Sequence, residues 1–346
     1  SISIGGALGG LFVSIISPLI FSFYWELPLI LLISCITFLW MSLYLHTKWQ
    51  KVIYLLLTVA CLSVTAYFCQ TYYFNFKNNS LLSDRNFYGT LRVSETKYLD
   101  QDTIVRRLVH GVIMHGTQDM SDLGRTKPTS YYIPSSGVGI TLLKKAEEKK
   151  NLKVGIVGLG TGTLLTYGRS GDEYRIYEIN PEVIQVAKNS FTYIKDSAAS
   201  ISYALGDARL VLERELPNQF DVLIIDAFSS DSIPIHLITQ EAFNLYTKHI
   251  KADGVIVFHV SNRYLNLPPV LNQLVSNSPY HAILVRNEEP DPNPFDLSSS
   301  SEWIIISQNN AFLNSKEFLN SKQEIEPIPS LRLWTDNFSN LFQILK

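Results

Sequence analysis

The chain has 346 residues, 46% of them hydrophobic and only 17% charged, with a formal net charge of −2 at pH 7. Soluble domains usually carry about 25% charged residues, and the deficit is local: Glu26, Lys48 and Lys51 are the only Asp, Glu, Lys or Arg residues before position 77. This excludes one uniform soluble globule, and the apolar content of the remainder excludes a disordered or fibrous chain.

Without a basic stripe or an aromatic-interleaved basic segment, the sequence gives no case for nucleic acid as a partner. Cys35, Cys61 and Cys69 all fall in the apolar N-terminal region, without metal spacing. The rest of the chain has no cysteine, which fits a reducing compartment.

Three apolar runs open the chain: Gly5–Phe23, Leu27–Leu45 and Val52–Cys69. Each is close to the roughly 20 residues that cross a bilayer core as a helix. Tyr24, Trp25, Trp40, Tyr44, Trp49, Tyr67, Tyr72 and Tyr73 cluster near their ends, as in interfacial aromatic belts. The glycines of Gly5-Gly6-Ala7-Leu8-Gly9-Gly10 have the four-residue spacing that lets helices approach closely. Residues 1–76 are therefore expected to form a membrane region of about three transmembrane helices, with a lipid bilayer as partner. Basic residues flank the third run on both sides and do not fix its orientation. The first residue is Ser rather than Met, which suggests a piece or a processed form of a longer membrane protein.

Residues 77–133 read as a small β domain with strands over Gly89–Glu95, Thr103–His110 and Val112–Gln118. His110 and His115 are expected on opposite faces, a poor arrangement for a metal, and no metal site is read. Residues 134–346 open with a helix near Gly137–Lys150. Strands then alternate with helices: Leu152–Val157, Tyr174–Ile179, Ile201–Leu205, Phe220–Ile225, Gly254–Val260, His281–Val285 and Trp303–Ser307. Helices are expected from Thr163, after Pro181, and over Ala208–Glu215, Thr239–Ile250 and Leu267–Ser276. The alternation implies an α/β fold with a parallel, doubly wound sheet.

The turn Gly158-Leu159-Gly160-Thr161-Gly162 follows the first of these strands, where a nucleoside-binding turn belongs. Glu178 ends the next strand, where a carboxylate can accept both ribose hydroxyls. Asp207 and Ala208 follow the third, and Asp207 can accept from an adenine amino group. The GxGxG spacing favours an adenosyl-sulfonium ligand over a dinucleotide. For Glu178 or Asp207 alone, helix capping is the structural alternative. Strand four ends at Asp226, and Asp231 lies five residues on. Such a pair could hold a cationic amine and take its proton as it attacks an electrophilic carbon. Tyr131 and Tyr132 could wall the pocket, and His259, ending strand five, faces the same crevice.

These residues resemble the spermidine synthase (polyamine aminopropyltransferase) family, and more closely its bacterial membrane-fused members. The segments that carry the resemblance include Arg85-Asn86-Phe87-Tyr88-Gly89, Leu108-Val109-His110-Gly111, Tyr131-Tyr132, the glycine turn, Tyr177-Glu178-Ile179-Asn180, Gly206-Asp207-Ala208, Asp226 to Pro234, His236-Leu237, His259 to Tyr264 and Trp334-Thr335-Asp336. The resemblance implies a small N-terminal β domain on a Rossmann-like S-adenosylmethionine-dependent transferase fold, and a homodimer. It implies transfer of aminopropyl from decarboxylated S-adenosylmethionine to putrescine or a related amine. It makes Asp226 and Asp231 the catalytic acids, with Gly158, Gly160, Gly162, Glu178, Asp207 and Ala208 around the nucleoside. Tyr131, Tyr132 and His259 fall on the substrate side. Localisation would be a bacterial inner membrane, with the catalytic domain in the cytoplasm.

The sequence departs from that pattern at Ser232, where a proline follows the second acid in the family, at Tyr132 and Met114, where the family has glutamines, and at the segment from His259. The glutamine replaced by Met114 contacts the nucleoside in the family; together the departures leave the nucleoside site in place, bear on the amine site and keep two other functions open. One is methyl transfer from intact S-adenosylmethionine. The other is a non-catalytic nucleoside or polyamine sensor linked to a membrane transporter.

Overall fold

The computed structural model describes residues 2–22, 24–44, 47–77, 80–98, 103–111, 113–227, 234–287 and 297–346. The sequence-based assignments at Phe23, Leu45, Val112 and Asp231 lie outside these residues. The chain divides into two compact units, Ser1–Thr96 and Lys97–Lys346.

In the first unit, three helical segments are long and apolar enough to cross a membrane: Ser3–Ile20, Glu26–Tyr44 and Lys48–Thr71. The last belongs to a helix that runs on to Lys77. Their large side chains stay exposed, among them Leu19, Ile36, Leu43 and Trp49. Gly5, Gly6, Gly9 and Gly10 are expected at a close helix contact, but a methyl group added at any of them would meet nothing within 4 Å. That face of the first segment is open. Strand β1 (Ser80–Asn86) pairs antiparallel with β2 (Gly89–Tyr98), closing the hairpin at Asn86 and Gly89. Arg85 of β1 is buried beside Glu26, 2.6 Å from its carboxylate, with its guanidinium 4.4 Å from the centre of the Tyr24 ring.

The second unit begins with the antiparallel hairpin of β3 (Thr103–His110) and β4 (Ile113–Asp119). It brings His110 and His115 ring to ring, with centroids 5.4 Å apart. Expecting them on opposite faces treated them as one strand. The chain reverses between them, so they sit on neighbouring strands.

A helix, Gly137–Glu148, leads into the main sheet. Its strands are β5 (Lys153–Val157), β6 (Glu173–Glu178), β7 (Ser200–Leu205), β8 (Phe220–Ile225), β9 (Ile250–His259), β10 (His281–Asn287), β11 (Ser301–Ser307) and β12 (Lys322–Gln323). The order across the sheet is β12-β10-β11-β9-β8-β5-β6-β7. Strands β5 to β9 pair parallel, and β8 is buried at every residue, as a central strand covered on both faces must be.

Two expectations change here. The sheet is mixed, because β11 runs antiparallel to both β9 and β10. No helix intervenes between β10 and β11 among the described residues, and a return without a crossover places a strand antiparallel to the one it left. The helix expected from Thr163 is only a 3₁₀ segment, Thr163–Tyr167. Gly168 ends it, and Thr163 and Thr166 are β-branched, so little favours a longer helix.

Candidate active site

The strand order reverses beside β5, between β6 on one side and β8 on the other. Open α/β sheets bind ligands at the carboxyl ends of strands at such a point. Gly158, Gly160 and Gly162 line the turn after β5 with φ of +93°, +55° and +85°, a left-handed region costly for other residues. The space is as demanding as the dihedrals. A Cβ on Gly158 would fall 2.2 Å from the Asp226 carbonyl oxygen, and one on Gly160 2.8 Å from that of His115. The glycines thus let the ends of β5, β8 and β4 close on one another.

Glu178, buried at the end of β6, holds this turn. Its Oε2 accepts from the Leu159 N–H at 2.9 Å and its Oε1 from the Asn180 N–H at 2.9 Å. Burial raises its pKa, against the backbone donors of Asn180 and Leu159. Each carboxylate oxygen retains a lone pair, so the ribose-binding role expected of it is chemically open. Asp207 is the N-cap of the helix Ala208–Arg214: its Oδ1 accepts from the Leu210 N–H at 3.0 Å, and its Oδ2 lies 2.8 Å from His236 Nε2. The capping role that is the structural alternative for Asp207 is thus present. Ala208 is buried directly behind it.

Asp226 follows β8 directly. Tyr132 donates its hydroxyl to Oδ2 at 2.5 Å, and His259 Nδ1 lies 2.7 Å from Oδ1. His259 Nε2 lies 2.8 Å from Ser261 Oγ. The imidazole stacks on Trp303, with centroids 4.3 Å apart and planes within 13°, and Tyr131 lies 4.7 Å from its other side. Tyr131 and Tyr132 reach this point from the loop before the helix Gly137–Glu148, which Tyr167 ties down by donating to the Tyr132 carbonyl at 2.5 Å. Burial, reinforced by the charge of Asp226, pushes both tyrosine hydroxyls up, so they stay protonated and able to donate. His115 lies in the same electrostatic neighbourhood. Burial, then His110, lowers it to about 4 despite the attraction of Asp226 and with a further push from His259. Its buried Nε2 has no hydrogen-bond partner.

The structure thus gathers Asp226, Tyr131, Tyr132 and His259 at one point, and Glu178 with the glycines at the adjoining strand ends. Asp231, the second acid, lies outside the described residues. The sequence gives no cue for Trp303 or His115 at this site, because each arrives from a different element. Among the described residues, no group of three or more His, Cys, Asp or Glu side chains is placed to hold a metal ion.

The strand order, with β11 antiparallel between β9 and β10, is that of a Rossmann-like fold of the methyltransferase type. No family model matches the chain. A polyamine aminopropyltransferase of Vibrio vulnificus (strain CMCP6) is 34% identical over 126 residues, which are 35% of this chain and 41% of that protein. The chain thus spans about two-fifths of that relative's length. The solved structure of a probable spermidine synthase from Corynebacterium glutamicum ATCC 13032 matches with a TM-score of 0.51 and 17% identity, over 68% of this chain and 83% of the other. The spermidine synthase of Thermotoga maritima matches with a TM-score of 0.48 and 15% identity, over 72% of this chain and 81% of the other. With the Corynebacterium protein the chain shares its fold.

Proposed function

We propose that the second unit is an aminopropyltransferase, moving the aminopropyl group of decarboxylated S-adenosylmethionine to putrescine or a related amine. We propose also that the N-terminal helices anchor it in a lipid bilayer. The observation that carries the reading is the placement of Asp226, buried at the end of β8 against the glycine turn and held by the Tyr132 hydroxyl.

In this reading Glu178 takes the ribose hydroxyls and Asp207 the adenine amino group, each with acceptor capacity beyond its present bonds. A neutral amine attacks the carbon next to the sulfonium. The N–C bond forms as the C–S bond breaks, and the electron pair of that bond leaves with sulfur in methylthioadenosine. Positive charge moves from sulfur to nitrogen. Asp226 stabilises the growing ammonium and accepts its proton. Tyr132 keeps the carboxylate aimed, and the aromatic surfaces of Tyr131 and Tyr132 provide a wall suited to the alkyl chain of the amine.

Release of methylthioadenosine from the decarboxylated cofactor and putrescine by detergent-purified protein tests the reading. Asp226→Asn should lower kcat by about 100-fold or more, the range of a general base, with methylthioadenosine affinity within twofold of wild type. Wild-type turnover in that variant would discard the assignment of Asp226.

A further inference from the structure

The His259 ring is held by Asp226, Ser261 and Trp303 together. The Glu302 backbone N–H donates to Ser261 Oγ at 2.8 Å. That bond occupies an acceptor site of the hydroxyl and leaves its hydrogen free to be given to His259 Nε2, 2.8 Å away. A ring that accepts at Nε2 carries its proton on Nδ1. Nδ1–H then points at Asp226 Oδ1, 2.7 Å away. Stacking on the fully buried Trp303 fixes the ring plane.

We infer that His259 is a positioning residue for Asp226: the chain from the Glu302 amide through Ser261 sets its tautomer, so that it and Tyr132 each donate to one of the two carboxylate oxygens. This rests on reading Asp226 as the group that meets the amine. Each oxygen receives one donor from the protein and keeps a lone pair for the incoming nitrogen. His259 acts through Asp226, because both of its nitrogens are engaged within the protein and the residue is 5% exposed. Among the described residues, the other titratable groups facing Asp226 are Tyr132, Tyr131 and His115; the tyrosines remain protonated and His115 remains neutral at pH 7.

Three variants test this: His259→Leu, His259→Asn and Ser261→Ala. The asparagine amide can place a donor near the site of Nδ1, whereas leucine has none. His259→Leu should lower kcat by about 10- to 100-fold, the scale of losing a group that orients a site residue. The methylthioadenosine dissociation constant, read by calorimetry, should stay within twofold. The loss should fall on kcat, with KM for the amine unchanged. His259→Asn should restore most of kcat, and Ser261→Ala should lower kcat by about three- to tenfold as the tautomer loosens. Equal impairment of the Asn and Leu variants would overturn the inference. So would a wild-type rate in Ser261→Ala, a readout that survives if His259→Leu does not fold. Unchanged turnover in Asp226→Asn would instead remove the reading on which the inference rests, whatever the His259 variants do.

Discussion

Beside His259, Asp226 faces two tyrosines that stay protonated and a histidine, His115, that is pushed down to about 4. His115 makes a separate prediction. The unfolded chain binds its proton near 6.5, whereas the folded protein binds it only near 4. Between these values the unfolded state holds more protons, so stability rises with pH there and is lost as pH falls from about 6.5 towards 4. The full difference amounts to about 3 kcal/mol. Urea denaturation at pH 7.5 and pH 5 should reveal the loss in wild type and a smaller one in His115→Leu. Equal losses in the two proteins would contradict the assignment.

At this scale the sequence is informative wherever chemistry is local. The glycine turn, Glu178 and Asp207 are legible because each follows a predicted strand within a residue or two. The partners of Asp226 are not. Tyr132 is 94 residues away in sequence and His259 is 33. Their contacts exist only because β8 and β9 are neighbours and the Tyr131-Tyr132 loop folds over both.

Among the elements, the junction of β5 with β8 carries the most consequence. Gly158→Ala would set a Cβ 2.2 Å from the Asp226 carbonyl at a φ of +93°. Backbone strain alone costs about 1–3 kcal/mol, and relief of the clash must move Asp226. Thermal unfolding should show a lowered Tm, with turnover falling further than the loss of folded protein explains. An alanine variant of wild-type activity would mean that this turn is more pliant than its packing implies.

The opposite end of β8 is held by Asp221, whose carboxylate is almost wholly buried and bonds Lys149 Nζ at 2.5 Å, Lys251 Nζ at 2.7 Å and the Lys153 N–H at 2.8 Å. Burial pushes its pKa up, but Lys149, the Lys153 amide and Lys251 outweigh burial and leave it lowered. The stability it contributes is present above about 3.8, the unfolded value, and is lost as pH falls through the lower folded value. Asp221→Ala should destabilise by about 2–3 kcal/mol, below the 3–5 of a fully buried pair because both lysines are partly exposed. A chemical denaturation midpoint unchanged at pH 7 would contradict this.

Element type proved readable in β5 to β9, whose apolar runs are bounded by turns and separated by amphipathic segments. Strand direction did not. The hydrophobic pattern of β10 and β11 is the same for parallel and antiparallel neighbours, and only the connection between them sets the direction. The short segment after the glycine turn was overread because Leu164 and Leu165 look like the start of an amphipathic helix, whereas Gly168 closes it within two turns.

For the whole molecule, the sparsely charged start, up to residue 76, forms helices with exposed apolar side chains, and the second unit forms an ordinary buried core. The measurement that tests the central claim most directly is a product analysis. Detergent-purified protein is incubated with putrescine and either decarboxylated or intact S-adenosylmethionine, and the products are identified by mass spectrometry. The account predicts methylthioadenosine and spermidine in equal amounts from the decarboxylated cofactor. S-adenosylhomocysteine from the intact cofactor, with no methylthioadenosine from the decarboxylated one, would contradict it.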